Sequence, residues 1–565
     1  MARRATLLAA LLLAAAIAVA WSNSLDGPFV LDDRPNSAEN PTLRAPLDWG
    51  RVLQPPANAS VAGRPLLNLS FALNFAVGGT AVRGYHVVNL ALHIAAALVL
   101  FGLLRRTLLT RPLRGRFGGA AVPLAATATL LWALHPLQTE SVTYVSQRAE
   151  SLVGLCYLVV VYAVGRAAAP GASRGWPAVA VLACLAGVLT KEAIVTAPLV
   201  VLLYDRTFLA GSFRAAWRER RAVYLGLLAA CGVLAWTMTG ITHRGVAAPG
   251  AASLGYALTE CRVLPGYLKL IAWPYPLVFD YGEFAVAPAA ALGGALTVGA
   301  LLGVVGFALR RRPPLGFAGA WFFLLLAPTS SVVPIAFQPM AENRLYLPLA
   351  AVTTTAVLLA YRLAGRRFAL AGAGAIAVGA LLTLRRNVDY QDRLALWAGT
   401  LAQRPDNFRA QNEYALSLAA AGRTDAAEAS LRRSLAEHPD AATLHRNLAV
   451  VLMRRGEFEE AIQHFAAVVR LQPDLPSGRE QYARAEIDLG LRLVQSGRPA
   501  DALDHFQSAI RVKPDAADAH YALGNTLAVL GRFAAAAGEF EATLRLDPGY
   551  PGGRDCLARA QAALR

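Results

Sequence analysis

Residues 405–438, PDNFRAQNEYALSLAAAGRTDAAEASLRRSLAEH, and residues 439–472, PDAATLHRNLAVVLMRRGEFEEAIQHFAAVVRLQ, are two copies of one pattern. Pro405, Pro439, Pro473, Pro514 and Pro548 stand 34, 34, 41 and 34 residues apart, and Gly422, Gly456, Gly497 and Gly531 stand 34, 41 and 34 apart. A 34-residue period is the signature of the tetratricopeptide repeat, a helix pair that buries its apolar face against its neighbours. The inner positions agree. Ala427, Ala461, Ala502 and Ala536 are small where paired helices touch, and Leu431, Phe465, Phe506 and Phe540 are bulky where the next layer must be filled. The glycines fall at the end of each first helix, where a left-handed backbone is needed. The single spacing of 41 adds seven residues, about two helical turns, so it lengthens a helix without losing phase. Four repeats are predicted over 405–548, with a polar-faced capping helix over 549–565.

The character of the chain changes upstream of residue 385. The protein has 565 residues, 56% hydrophobic and only 16% charged, against about 25% charged in soluble proteins. Long apolar runs dominate the first part, so a bilayer is part of its solvent. The net charge of +17 does not mark a nucleic-acid binder. Its arginines sit in short clusters between apolar runs: Arg105, Arg106, Arg111, Arg114 and Arg116, then Arg214, Arg218, Arg220 and Arg221, then Arg310 to Arg312. Cytoplasmic loops of membrane proteins carry such clusters. The five cysteines form no CxxC and no Cys/His cluster, which argues against a zinc site or disulfide framework.

Eleven spans are predicted, near 5–21, 87–104, 120–135, 152–169, 177–190, 193–204, 222–240, 288–309, 315–334, 345–363 and 368–384. The first, behind Arg3-Arg4, is taken as an uncleaved helix rather than a signal peptide. With the N-terminus inside, the arginine-rich loops all fall inside. Letting 254–273 span as well would put Arg310–Arg312 outside, so that segment, interrupted by Glu260, Arg262 and Lys269, is read as re-entrant or surface-lying. Arg385 and Arg386 fall outside and count mildly against the scheme. The fold class is therefore all-α: a polytopic membrane bundle over 1–384, a linker over 385–404, then the repeat solenoid.

Charged and amide groups at membrane depth or at span ends are costly and by default mark function or internal pairing. They fall in six places: Asp32-Asp33; Arg64 through Asn74 with Tyr85, His86, Asn89 and His93; His135 through Glu140 with Arg148 and Glu150; Lys191-Glu192; Trp273 through Tyr281; and Glu342 through Pro348 with Arg344 and Tyr346. Each has a bland reading. Asp32-Asp33 suits a solvated turn, Glu140 and Arg148 suit a salt bridge, and Lys191 and Glu192 can neutralise each other. Tyr85, Asn89 and His93 share one helix face and suit bonds between helices. Their convergence favours function, because acids, a histidine, a lysine and an arginine all fall on one side of one bundle.

Taken in order, these residues resemble the transmembrane and tetratricopeptide-repeat-containing (TMTC) family of protein O-mannosyltransferases. The specific parts are Gly84-Tyr85-His86-Val87-Val88-Asn89 and Arg344-Leu345-Tyr346-Leu347-Pro348. The short repeat array departs from the family, which leaves its acceptor surface open. The resemblance implies a GT-C-like glycosyltransferase domain over 1–384 with an extracytoplasmic active site. It implies a polyprenyl-phosphate sugar donor, inversion in one displacement, and a first-loop acid as base. That acid maps to Asp32 or Asp33, with Asp33 preferred. Arg344, Lys191 and Arg148 are expected to meet the lipid phosphate. His135, Glu140, Glu192, Glu342, Tyr346, His86 and Asn89 are expected at the acceptor or sugar. A divalent metal is compatible, though no ligand spacing demands one. The expected partners are the lipid-linked donor, membrane lipid and a polypeptide held by the repeats. A non-catalytic repeat scaffold and an envelope oligosaccharide ligase are the alternatives. The alanine- and arginine-rich composition suggests a bacterial inner membrane.

Overall fold

A computed structural model describes residues 2–44, 48–55, 59–238, 251–330 and 338–565. The chain forms two compact units, Met1–Asn407 and Phe408–Arg565. Among the described residues every regular element is helical.

The main helices of the first unit are α1 (Ala2–Ala20), α2 (Pro65–Gly78), α3 (Val82–Leu108), α4 (Ala121–Ala133), α5 (Arg148–Ala167), α6 (Trp176–Val188) and α7 (Ala197–Tyr204). They are followed by α8 (Phe213–Met238), α9 (Ala251–Ala272), α10 (Pro288–Arg311), α11 (Pro313–Leu326), α12 (Pro348–Ala364), α13 (Phe368–Asp389) and α14 (Arg393–Gln403). A helix satisfies its backbone polar groups internally, which is what a segment in hydrocarbon must do. The outward face confirms the solvent: Leu7, Leu11, Leu292, Leu296, Leu370 and Leu381 are all exposed. Inside, Trp21, Trp132, Tyr157, Leu158 and Leu349 form a closed core.

Among the described residues five helices are long and apolar enough to cross a membrane: Arg3–Ala20, Val82–Leu108, Val145–Ala167, Pro288–Arg311 and Phe368–Asp389. A sixth arises if Arg111–Ala133 and Pro136–Thr143, bent by 58°, count as one. Several of the eleven expected spans are shorter helices. The 13 residues of α6 reach only about 20 Å, short of the roughly 30 Å hydrocarbon core. Helices α6 and α7 run in opposite directions along α5. Trp176 meets Tyr162 at one end, Tyr157 bonds Thr196 near the other, and Tyr204 returns to Gly165. The expected spans 222–240 and 315–334 run partly outside the described residues.

Residues 254–272 lie within one helix, α9, and Trp273 follows its end. Its Tyr256 bonds the Thr329 carbonyl, Tyr267 bonds that of Ala341, and the Ile271 carbonyl receives His135. All these partners lie at one end of the bundle. The expected linker 385–404 needs correction. Helix α13 runs on to Asp389, and α14 packs its buried Trp397 against Phe279, ring centroids 5.1 Å apart. An indole with such a packing partner cannot act as a tether.

The second unit has four helix pairs, from Phe408–Ala420 with Thr424–Glu437 to Ala517–Val529 with Phe533–Leu546, closed by Gly553–Ala562. The extra seven residues lengthen one helix, Pro476–Gln495, to 20 residues. Ala427, Ala461, Ala502 and Ala536 are fully buried. Gly422, Gly456, Gly497 and Gly531 have φ of 75°, 82°, 79° and 73°, a conformation costly for any residue with a Cβ.

Candidate active site

The loop after α1 is fixed by one of its two acids. Asp33 is 1% exposed. Its carboxylate accepts the backbone N–H of Val30 at 2.9 Å and of Ser146 at 2.7 Å. Asn36 adds a bond to the Ser146 hydroxyl at 3.0 Å. Burial pushes the Asp33 carboxyl up to about 7, the two backbone donors oppose this, and the Asp32 charge adds to it. Asp32 stays half-buried, and its N–H donates to the Tyr144 hydroxyl at 3.2 Å. Just before it, Leu31 has φ of 45°. A leucine in the left-handed region is strained, and such strain gathers at functional sites.

An aromatic wall leads away from Asp32. Tyr144 meets Phe279 edge-on at 5.3 Å, and Phe279 meets Tyr390 at 5.6 Å. Beyond it lies a second acid group. Glu140 accepts the Asn343 N–H at 2.9 Å. Glu342 accepts the Val278 N–H at 2.7 Å and the Tyr281 hydroxyl at 3.0 Å. Burial raises the Glu342 carboxyl, and the charge of Arg386 counters it.

The polar atoms left over here are informative, because buried polar groups normally find partners. Arg386 bonds Asp389 through one nitrogen at 3.0 Å. Its Nε and Nη2, with Glu342 Oε2, the Tyr390 hydroxyl and Gln138 Oε1, have no hydrogen-bond partner among the described residues. From the sequence alone, Arg386 counts mildly against the span scheme. The signal for it was the charge itself at the end of an apolar helix. Two ion pairs lie at the same end: Lys191 on the buried Glu150 at 2.6 Å, and the half-buried pair of Arg64 on Glu192 at 3.1 and 3.2 Å. Lys191 and Glu192 thus pair with other residues rather than each other.

Other expected site residues hold the fold. Arg148 is fully buried, and its guanidinium donates to Asn89 Oδ1 at 2.7 Å and to the Ser70 and Tyr85 carbonyls at 3.1 Å. Arg344 donates to the carbonyls of Thr329, Pro339 and Gln338 and lies 3.7 Å from Glu260. The donors of these two expected phosphate-binding arginines are engaged by backbone carbonyls and, for Arg148, by Asn89 Oδ1. Asn89 also reaches the Val142 carbonyl, and His86 the Gly27 carbonyl. His93 links the Tyr346 hydroxyl to the Ala133 carbonyl, and His135 caps the turn that begins at Pro136. Among the described residues no three metal-ligating side chains gather at one point.

Two tetratricopeptide-repeat family models match residues 440–515 and 487–551. The chain is similar to the Drosophila melanogaster protein O-mannosyl-transferase Tmtc1, 32% identical over 305 residues, covering 48% of this chain and 34% of the relative. It is also similar to Drosophila Tmtc2, 35% identical over 33% of this chain and 20% of the relative. The human protein O-mannosyl-transferase TMTC1 is 33% identical over 35% of this chain and 23% of the relative. The chain thus spans about a third or less of the length of these relatives.

Proposed function

We propose that this chain, a relative of the TMTC protein O-mannosyltransferases with its own tetratricopeptide array, is a membrane glycosyltransferase that moves mannose from a polyprenyl-phosphate donor to Ser or Thr hydroxyls of extracytoplasmic protein. The supporting observation is the gathering, at one end of the bundle, of Asp32 behind a strained leucine and of Arg386 with two unpartnered donors.

The chemistry follows from these groups. A hydroxyl is a weak nucleophile and needs a positioned base. Asp33 is committed to two backbone donors, so the role passes to Asp32. The acceptor oxygen bonds to the anomeric carbon as the bond from that carbon to the phosphate oxygen breaks, inverting the centre. Asp32 takes the hydroxyl proton, and the lipid phosphate leaves with its negative charge. A cation aimed at that charge stabilises the transition state, and Arg386 is the candidate. Lys191 is then a second candidate for the phosphate, and Glu192, Glu140 and Glu342 are candidates for sugar and acceptor. The repeats hold the polypeptide, since such arrays form extended concave surfaces. The enzyme sits in a bacterial inner membrane with its site and repeats outside.

The test uses membranes holding the full chain, a defined polyprenyl-phosphate mannose and a Ser/Thr-rich polypeptide. Mannose on the hydroxyls, lost on Asp32→Asn, is expected. Absence of transfer from any polyprenyl-phosphate sugar would favour the scaffold, and transfer of whole glycans would favour the ligase.

A further inference from the structure

The opposite end of the first unit holds an apolar cavity of about 580 Å³. Leu103, Leu104, Phe208, Phe317, Trp321 and Leu358 represent its walls. Its charged lining residues are three arginines from three separate segments: Arg116, Arg312 and Arg362. Among the described residues no carboxylate lines it. All three arginines are exposed. One wall hydroxyl pair is satisfied, Tyr204 with Thr107 at 2.8 Å, whereas Thr354 Oγ1 is buried without a partner. Along α3 the step from Asn89 to Leu104 is 104 − 89 = 15 residues, about 22 Å, so this cavity is separate from the candidate active site.

Its chemistry selects an amphiphile. Leucine and phenylalanine walls disfavour a free ion or a sugar, and water gains little from them. Guanidinium groups are suited to phosphate oxygens, and basic pockets between membrane helices bind anionic headgroups. At about 30 Å³ for a water-sized group, the volume holds on the order of twenty such groups, enough for one acyl chain. Three positive charges with no carboxylate among the described lining residues favour a negative group.

We propose that this cavity is a lipid site. It takes an anionic phospholipid, with the phosphate on Arg116, Arg312 and Arg362 and one acyl chain among the leucines. The site lies beyond the transfer reaction and does not depend on that reading.

Native mass spectrometry of the purified full chain tests it, with phosphatidylglycerol, phosphatidylcholine, polyprenyl phosphate and glycerol 3-phosphate as probes. Phosphatidylglycerol should be retained over phosphatidylcholine. Arg116→Gln, Arg312→Gln and Arg362→Gln together should weaken its binding roughly 100-fold, since each basic residue near an anionic surface is worth about fivefold. Arg312→Gln alone should cost about fivefold, which keeps the test usable if the triple variant is unstable. Ala351→Trp, which fills the cavity, should reduce retention with the arginines intact. Unchanged retention in the arginine variants overturns the proposal. So does equal competition by glycerol 3-phosphate, which marks a simple anion site. Retention of polyprenyl phosphate that exceeds that of phosphatidylglycerol and is lost in the arginine variants also overturns it, by making the occupant of this cavity a single-chain lipid.

Discussion

Asp32 and Asp33 are adjacent in sequence and should fail in opposite ways when each is replaced by Asn. Asp33 accepts two buried backbone N–H groups, at 2.9 and 2.7 Å, through its two oxygens. An amide keeps one acceptor and turns an NH₂ toward the other donor. One buried N–H loses its bond, at about 1–3 kcal/mol. The loop should loosen and the unfolding temperature in detergent should fall. Asp33 also links stability to pH. Its folded value of about 7 lies above the ordinary 3.8, so the protonated form is favoured in the folded state. The associated stability is full below about pH 4 and is lost as pH rises through 7. Asp33→Asn should remove that slope. Asp32 is half-buried and bonds Tyr144 through its backbone N–H, which Asp32→Asn keeps, so Asp32→Asn should cost less stability than Asp33→Asn. Loss of a general base costs about 10²–10⁴-fold, or roughly 3–5 kcal/mol of barrier. The assay is mannose transfer alongside thermal unfolding of the same preparations. Normal transfer by Asp32→Asn, with transfer abolished by a well-folded Asp33→Asn, would refute the assignment.

Arg386→Gln should cut transfer by about 10²-fold and raise the KM for donor at unchanged stability, measured by initial rates. Arg344→Gln should instead lower the unfolding temperature, since breaking its buried pair with Glu260 costs about 3–5 kcal/mol. Truncation after Asn407 should leave a folded membrane unit that binds donor but modifies protein poorly. Truncation after Asp392, which also removes buried Trp397, should lose about 3–5 kcal/mol more, read by unfolding temperature. A membrane-impermeant thiol reagent should label Glu39→Cys and Ser496→Cys alike in intact spheroplasts, and labelling of only one would overturn the shared sidedness. Gly531→Ala, at φ of 73°, should cost the repeat unit about 1–2 kcal/mol by thermal unfolding.

The repeat array was legible in the chain because each 34-residue pair meets only its neighbours. Spacing alone could therefore assign Ala427, Phe465 and Gly456 their places, and even the long helix Pro476–Gln495 followed from counting. The membrane character and the end of the bundle where the acids gather were legible too, since the bilayer imposes a simple rule on composition. Tertiary structure decided what each polar group does. Arg148, Arg344 and Arg386 are chemically identical, and no local pattern distinguishes them. The fold sets backbone carbonyls and Asn89 around Arg148 and carbonyls around Arg344, while it leaves two nitrogens of Arg386 without partners beside Glu342. It also set Asp33 against Ser146, 113 residues away, and left Asp32 half-exposed. Residue type and periodicity are properties of a segment, whereas the partners of a buried charge come from segments far apart in the chain.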